Sequence, residues 1–223
     1  GFYSPGGTDQ TKISFKNLSP ADIRVEASEV SNAFFVNAQT LAAAFAPIRP
    51  VGSNAAAGAY WMYEAPAAGS VNSVGSHHIW GDSPTITLPT SGMAQYNYVG
   101  GTAPSDNYGR LGTFTGSNLL VNYGTGQIQN ITAMTMSFGT NAQQATPTTY
   151  SIAASNTWSI GGNNSTLANV TCTGCTGTTA ASINGKFVGD TMQGYAAAIK
   201  VTNTQLNTSK PNSAGTVAAF ARQ

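Results

Sequence analysis

At 223 residues the chain is long enough for one large all-β domain or two modest ones. Only 8% of the residues are charged, and nine Lys and Arg against eight Asp and Glu leave a net charge of +1. The basic residues are scattered, so electrostatic capture of nucleic acid or of an anionic membrane is not expected. No apolar run approaches the ~20 residues of a membrane-crossing helix.

The chain opens Gly1-Phe2-Tyr3-Ser4-Pro5 with no initiator methionine, as expected of a secreted protein from which a signal peptide has been removed. Ile13 and Phe15 share one side of an alternating run, and Ile23, Val25 and Ala27 alternate with polar neighbours as in a half-buried strand. Over 32–46 the spacing changes. Phe34, Ala38, Leu41 and Phe45 recur every three or four residues, which predicts a short amphipathic helix stopped by Pro47 and Pro50. Small residues over 52–58 then lead into a segment rich in rings: Tyr60, Trp61, Tyr63, and Ser76-His77-His78-Ile79-Trp80-Gly81-Asp82.

His77 and His78 are the only histidines in the chain. Neutral imidazole is the commonest protein ligand for a metal or for haem iron. The competing reading is a solvated loop with two surface histidines and core aromatics. Both rings cannot serve one iron, because neighbours on an extended segment point to opposite sides. His78, next to Ile79 and Trp80, is the preferred ligand and His77 the alternative. Tyr60, Trp61, Tyr63, Ile79 and Trp80 are the candidate apolar wall, with Asp82 or a backbone carbonyl as a partner for the non-ligating nitrogen.

From about residue 92 the pattern is strands throughout: 95–99, 119–123, a long run over 127–138, 149–154, 157–160, 167–172, 181–187, 192–201 and 215–221. Glycine and asparagine turns separate them. Eight or nine short strands at this spacing predict an antiparallel sandwich or a closed barrel. Cys172 and Cys175 sit in a turn-forming, β-branched context that suits neither a redox helix nor a zinc site with a second ligand pair. A structural disulfide at a hairpin tip is expected, which fits an oxidising compartment. The acidic residues show no acid/base spacing, and Gly112-Thr113-Phe114-Thr115-Gly116 reads as a turn and not as a nucleophile elbow. An enzyme is not expected.

Several pieces carry a resemblance: Tyr98-Val-Gly-Gly-Thr-Ala-Pro104, Gly112-Thr-Phe-Thr-Gly116, Leu119-Leu-Val-Asn-Tyr123, Asn184-Gly-Lys-Phe-Val-Gly189 with Gly194-Tyr195, and Ala214-Gly-Thr-Val-Ala-Ala-Phe-Ala-Arg222. In this order they resemble the C-terminal barrel of transferrin-binding protein B lobes, factor H binding protein and related Slam-exported proteins. The resemblance implies a mainly β protein with a handle domain over 1–92, β-rich with one short helix, and an eight-stranded antiparallel barrel over 93–223. The overall plan is similar to secreted haem carriers of the hemophilin type. That implies a bacterial hemophore which binds haem through a handle histidine, His78 or His77. It would take haem from host haem proteins and pass it to a TonB-dependent outer-membrane receptor. The alternatives are a cofactor-free factor that binds a host protein and an adhesive β-protein with incidental histidines.

Overall fold

The computed structural model describes residues 59–64, 76–81, 87–161, 164–188, 192–204 and 212–223. The helix expected over 32–46 and the strands expected around 13–15 and 23–27 lie outside the described residues. Among those described there are fifteen strands and no helix. The N-terminal pair, β1 (Ala59–Glu64) and β2 (Ser76–Gly81), forms an antiparallel two-stranded sheet. The rest are β3 (Met93–Gly101), β4 (Ser105–Asp106), β5 (Gly112–Thr115), β6 (Leu119–Asn122), β7 (Gln127–Asn130), β8 (Met134–Phe138), β9 (Thr148–Ile152), β10 (Thr157–Ser159), β11 (Ser165–Leu167) and β12 (Val170–Thr173). Three strands of 11 residues close the chain: β13 (Thr178–Val188), β14 (Gly194–Thr204) and β15 (Asn212–Arg222).

Two sheets, in the orders β10-β7-β6-β3-β15-β14-β13-β11 and β12-β9-β8-β5, account for the strands from β3 onward, with the short β4 paired to β15. They are two parts of one meander. The pairs β5–β6, β7–β8, β9–β10 and β11–β12 are each one run broken by two to four residues. Joined, they give eight antiparallel runs. The last, β15, returns to pair with the first, β3, leaving a nearly closed barrel whose seam lies where β10 and β11 adjoin. Closure of this kind removes open edges from a chain poor in the charges that usually guard them.

The breaks are aligned, and asparagine side chains repair them. Asn130 Nδ2 donates to the carbonyls of Thr132 and Ala153, both at 2.8 Å. Asn156 Nδ2 donates to Ala153 O at 2.9 Å, while its Oδ1 accepts Ala168 N–H. Asn118 Oδ1 takes Tyr98 N–H, and Ser117 Oγ takes Thr132 N–H. Backbone groups that lose their ladder partners must find others when buried, and the amide carries both a donor and an acceptor. The run expected over 127–138 is therefore two strands. Residues 112–116, expected as a turn, contribute β5, which pairs with β8. Gly116 ends β5 because a Cβ there would enter the Tyr98 ring.

Inside, an aromatic core runs through the barrel: Tyr96, Tyr150, Trp158, Phe187, Tyr195 and Phe220 with Leu119, Ile128, Met134, Met136 and Ile199. Its polar tips are mostly paired with one another. The Tyr96 hydroxyl meets that of Tyr123 at 3.1 Å and donates to Met192 O at 2.8 Å, and Trp158 Nε1 donates to the Tyr195 hydroxyl at 3.1 Å. That hydroxyl lies over Gly185, where a Cβ would collide with it, which explains the glycine of the Asn184–Gly189 motif. Burial pushes the phenols of Tyr96, Tyr98 and Tyr150 above the usual tyrosine range, so they act as neutral hydroxyls. A second, smaller cluster of Val188, Ala196, Ala198, Val217 and Ala219 is buried on the other face of the long strands. Cys172 and Cys175 are joined in a disulfide at the end of β12, as expected. No helix among the described residues is long and apolar enough to cross a membrane.

Candidate functional site

The segment that carries both histidines is a β-ladder seated on the barrel. Backbone pairing sets Tyr60 opposite Trp80, Trp61 opposite Ile79, Met62 opposite His78 and Tyr63 opposite His77. Partners directly across an antiparallel ladder share a face, and successive residues alternate between faces. Positions 61, 63, 77 and 79 therefore share one face of the hairpin, and positions 60, 62, 78 and 80 share the other. The register thus divides the predicted wall: Trp61, Tyr63 and Ile79 fall with His77, while Tyr60 and Trp80 fall with His78. The two histidines are adjacent in the sequence, and the strand sets their positions on opposite sides of a sheet.

The His77 face is the one turned to the barrel. β1 and β2 both pack against β14 and β15, and the His77 side chain is completely buried. Nδ1 lies 2.6 Å from Thr102 Oγ1, and Nε2 lies 2.7 Å from Ser105 Oγ. Thr102 Oγ1 also accepts Val217 N–H at 3.3 Å and lies 3.2 Å from Thr216 Oγ1. Thr216 in turn donates to Thr102 O at 2.7 Å. Proton counting selects one arrangement for the neutral ring. Nδ1–H donates to Thr102, whose own proton goes to Thr216, and Ser105 donates to Nε2. The opposite tautomer would leave one of the two Thr102–Thr216 oxygen contacts without a proton between them. Buried bonds of this kind contribute about 1 kcal/mol each, and an orphaned partner costs more.

Thr102, Ser105 and Thr216 were not singled out from the sequence. The only local signal was Gly100-Gly101 followed by small hydroxyl residues, which reads as a turn. Gly100 and Gly101 prove to be the last residues of β3, paired with β15, and the chain turns after them, in the gap before β4 where β15 exchanges one partner strand for the other. Hydroxyls fill the positions that ladder hydrogen bonds vacate, and His77 joins them from the hairpin.

A buried ion pair holds the same end of the barrel. Arg110 Nε and Nη2 lie 2.7 and 2.6 Å from Asp106 Oδ2. Nη1 donates to Gly139 O and Thr146 O, Nη2 to Thr148 Oγ1, and the guanidinium stands over the Phe138 ring at 5.4 Å. Both charges are buried, and the guanidinium donors named here meet protein acceptors, the arrangement in which a buried pair is tolerated. Its geometry ties β4 and the turn after it to the connection between β8 and β9.

Both ring nitrogens of His77 are thus engaged by hydroxyls, and iron coordination there would require breaking one of those contacts. His77 does not fit as an iron ligand in this arrangement. Among the described residues no three His, Cys, Asp or Glu side chains gather as a metal site. The side chains of His78, Tyr60, Trp61, Tyr63, Ile79 and Trp80 lie outside the described residues. No protein-family model matches the chain, and no curated protein matches it.

Proposed function

We propose that this protein is a haem carrier in which His78 supplies one axial nitrogen and His77 serves as the bolt that seats its strand. The observation supporting the reading is the division of labour along β2. His77 is spent on Thr102 and Ser105, so the neighbouring position faces away from the barrel on a rigidly seated strand. On that outward face the register sets Met62 across from His78 and Tyr60 across from Trp80. An imidazole position flanked by aromatic positions suits a flat, apolar ring system with a metal at its centre. Haem, when bound, supplies the iron that an imidazole nitrogen can coordinate.

Secretion, uptake from host haem proteins and delivery to a TonB-dependent receptor form the finer part of the proposal. They rest on the barrel resemblance, together with a disulfide suited to an oxidising compartment. Haemin titration followed by absorption tests the reading. A saturable Soret band in the wild type, lost or strongly shifted in His78→Ala, is expected. Absence of a band in the wild type, or a band unchanged in His78→Ala, overturns it.

A further inference from the structure

We propose that the barrel interior, at the end carrying the disulfide, is a binding chamber for a small neutral molecule that both donates and accepts hydrogen bonds. The argument starts from Asn203 and Asn212, cross-strand partners at the ends of β14 and β15. Burial alternates at these ends of the two strands, with Val201 and Asn203, and Asn212 and Ala214, all buried around half-buried Thr202 and Ser213. Val201 and Ala214 belong to the interior core, so the two asparagines continue that inward face. Both are wholly buried. Asn203 Nδ2 donates to Thr179 Oγ1 at 2.8 Å, but its Oδ1 meets no protein group. Asn212 is unpartnered at both Nδ2 and Oδ1.

The contrast with the rest of the molecule is what points to a ligand. Two other buried asparagines, Asn130 and Asn184, each leave only the carbonyl oxygen unmatched, since their Nδ2 atoms are bonded. Among the described residues Asn212 alone leaves a whole amide unmatched. A third inward group at the same end, the Tyr150 hydroxyl, is buried and unpartnered too. It is carried on β9 two residues from Thr148, which holds Arg110, whose partner Asp106 pairs with Ala214. Buried polar groups in native proteins are satisfied by protein, ordered water or ligand. The unmatched set mixes donors with acceptors, and the nearby charges Asp106 and Arg110 neutralise each other, so an ion would go uncompensated. Ordered water is one source of that chemistry and a small organic solute such as a polyol is another.

The inference is independent of the haem reading. Its test is the nuclear Overhauser effect between water and the Asn212 side-chain amide in the intact protein, with native mass spectrometry on the same sample. Water cross-peaks to a long-lived site support the chamber with water as guest. A stoichiometric small-molecule adduct, lost in Asn212→Leu, supports it with a solute. An Asn212 amide with cross-peaks to protein protons alone, in a protein of unmodified mass, overturns it. The wild-type spectrum decides even if the leucine variant fails to fold.

Discussion

The two sides of the barrel are built differently. On one side β13, β14 and β15 run 11 residues each without interruption, and β14 is buried continuously from Gly194 to Ile199. On the other side the four runs from β5 to β12 are each broken, and strands there alternate buried with half-buried residues, as in Met134 to Phe138 and Thr148 to Ile152. A sheet covered on one face alternates, whereas one covered on both faces reads as a continuous apolar run. The long strands are therefore a docking wall. Alanines at 196, 198 and 219 keep its outer face flat, and the histidine hairpin packs on it. The broken side has its outer face open to solvent, and asparagines bridge its breaks.

The sharpest way to break the comparison is to place one charge on each side. Ala219→Glu inserts a carboxylate into a face with no exposure and is expected to cost about 4 kcal/mol or more, the scale of an uncompensated buried charge. Thr135→Glu, at a half-buried position of β8, should stay within about 1 kcal/mol. Urea denaturation of both variants measures the difference, and equal losses would remove the docking wall. The seam comes next. Asn156→Ala orphans Ala168 N–H and leaves Ala153 O with Asn130 Nδ2 alone, and should cost about 1–3 kcal/mol, with amide exchange rising first near 153–156 and 168. The smallest effect belongs to the disulfide. Its loop spans four residues, for which the chain-entropy argument gives at most about 2 kcal/mol. Reduction should lower the melting temperature by a few degrees and leave the strand signal intact.

The strand positions and the barrel class were legible because one-sided burial writes a period of two into the sequence, as at Leu119, Val121 and Ile128. The breaks were not. Asn130 and Asn156 look like ordinary outward polar residues of a strand until the backbone is seen to turn at Ser155 and Asn169, both with positive φ near 60° and 51°. At the site, the pairing of histidine with aromatic residues was legible as composition, and so was the rule that adjacent rings diverge. Which ring turns inward was not legible, because that depends on Thr102, Ser105 and Thr216, which lie 25 or more positions further along the chain. Nor did the sequence reveal the Asp106–Arg110 pair, since an acid and a base four residues apart suggest a helix or nothing when no helix is expected.

The division between the two histidines is the claim on which the rest stands, and hydrogen–deuterium exchange of the ligand-free protein tests it most directly. His77→Ala should release the hairpin, speeding exchange across 59–64 and 76–81 by roughly 5- to 150-fold for a loss of about 1–3 kcal/mol, while the barrel strands keep their protection. His78→Ala should leave hairpin exchange unchanged. If His77→Ala leaves the hairpin as protected as in the wild type, or His78→Ala loosens it equally, then His77 is not the bolt and the assignment of roles is wrong.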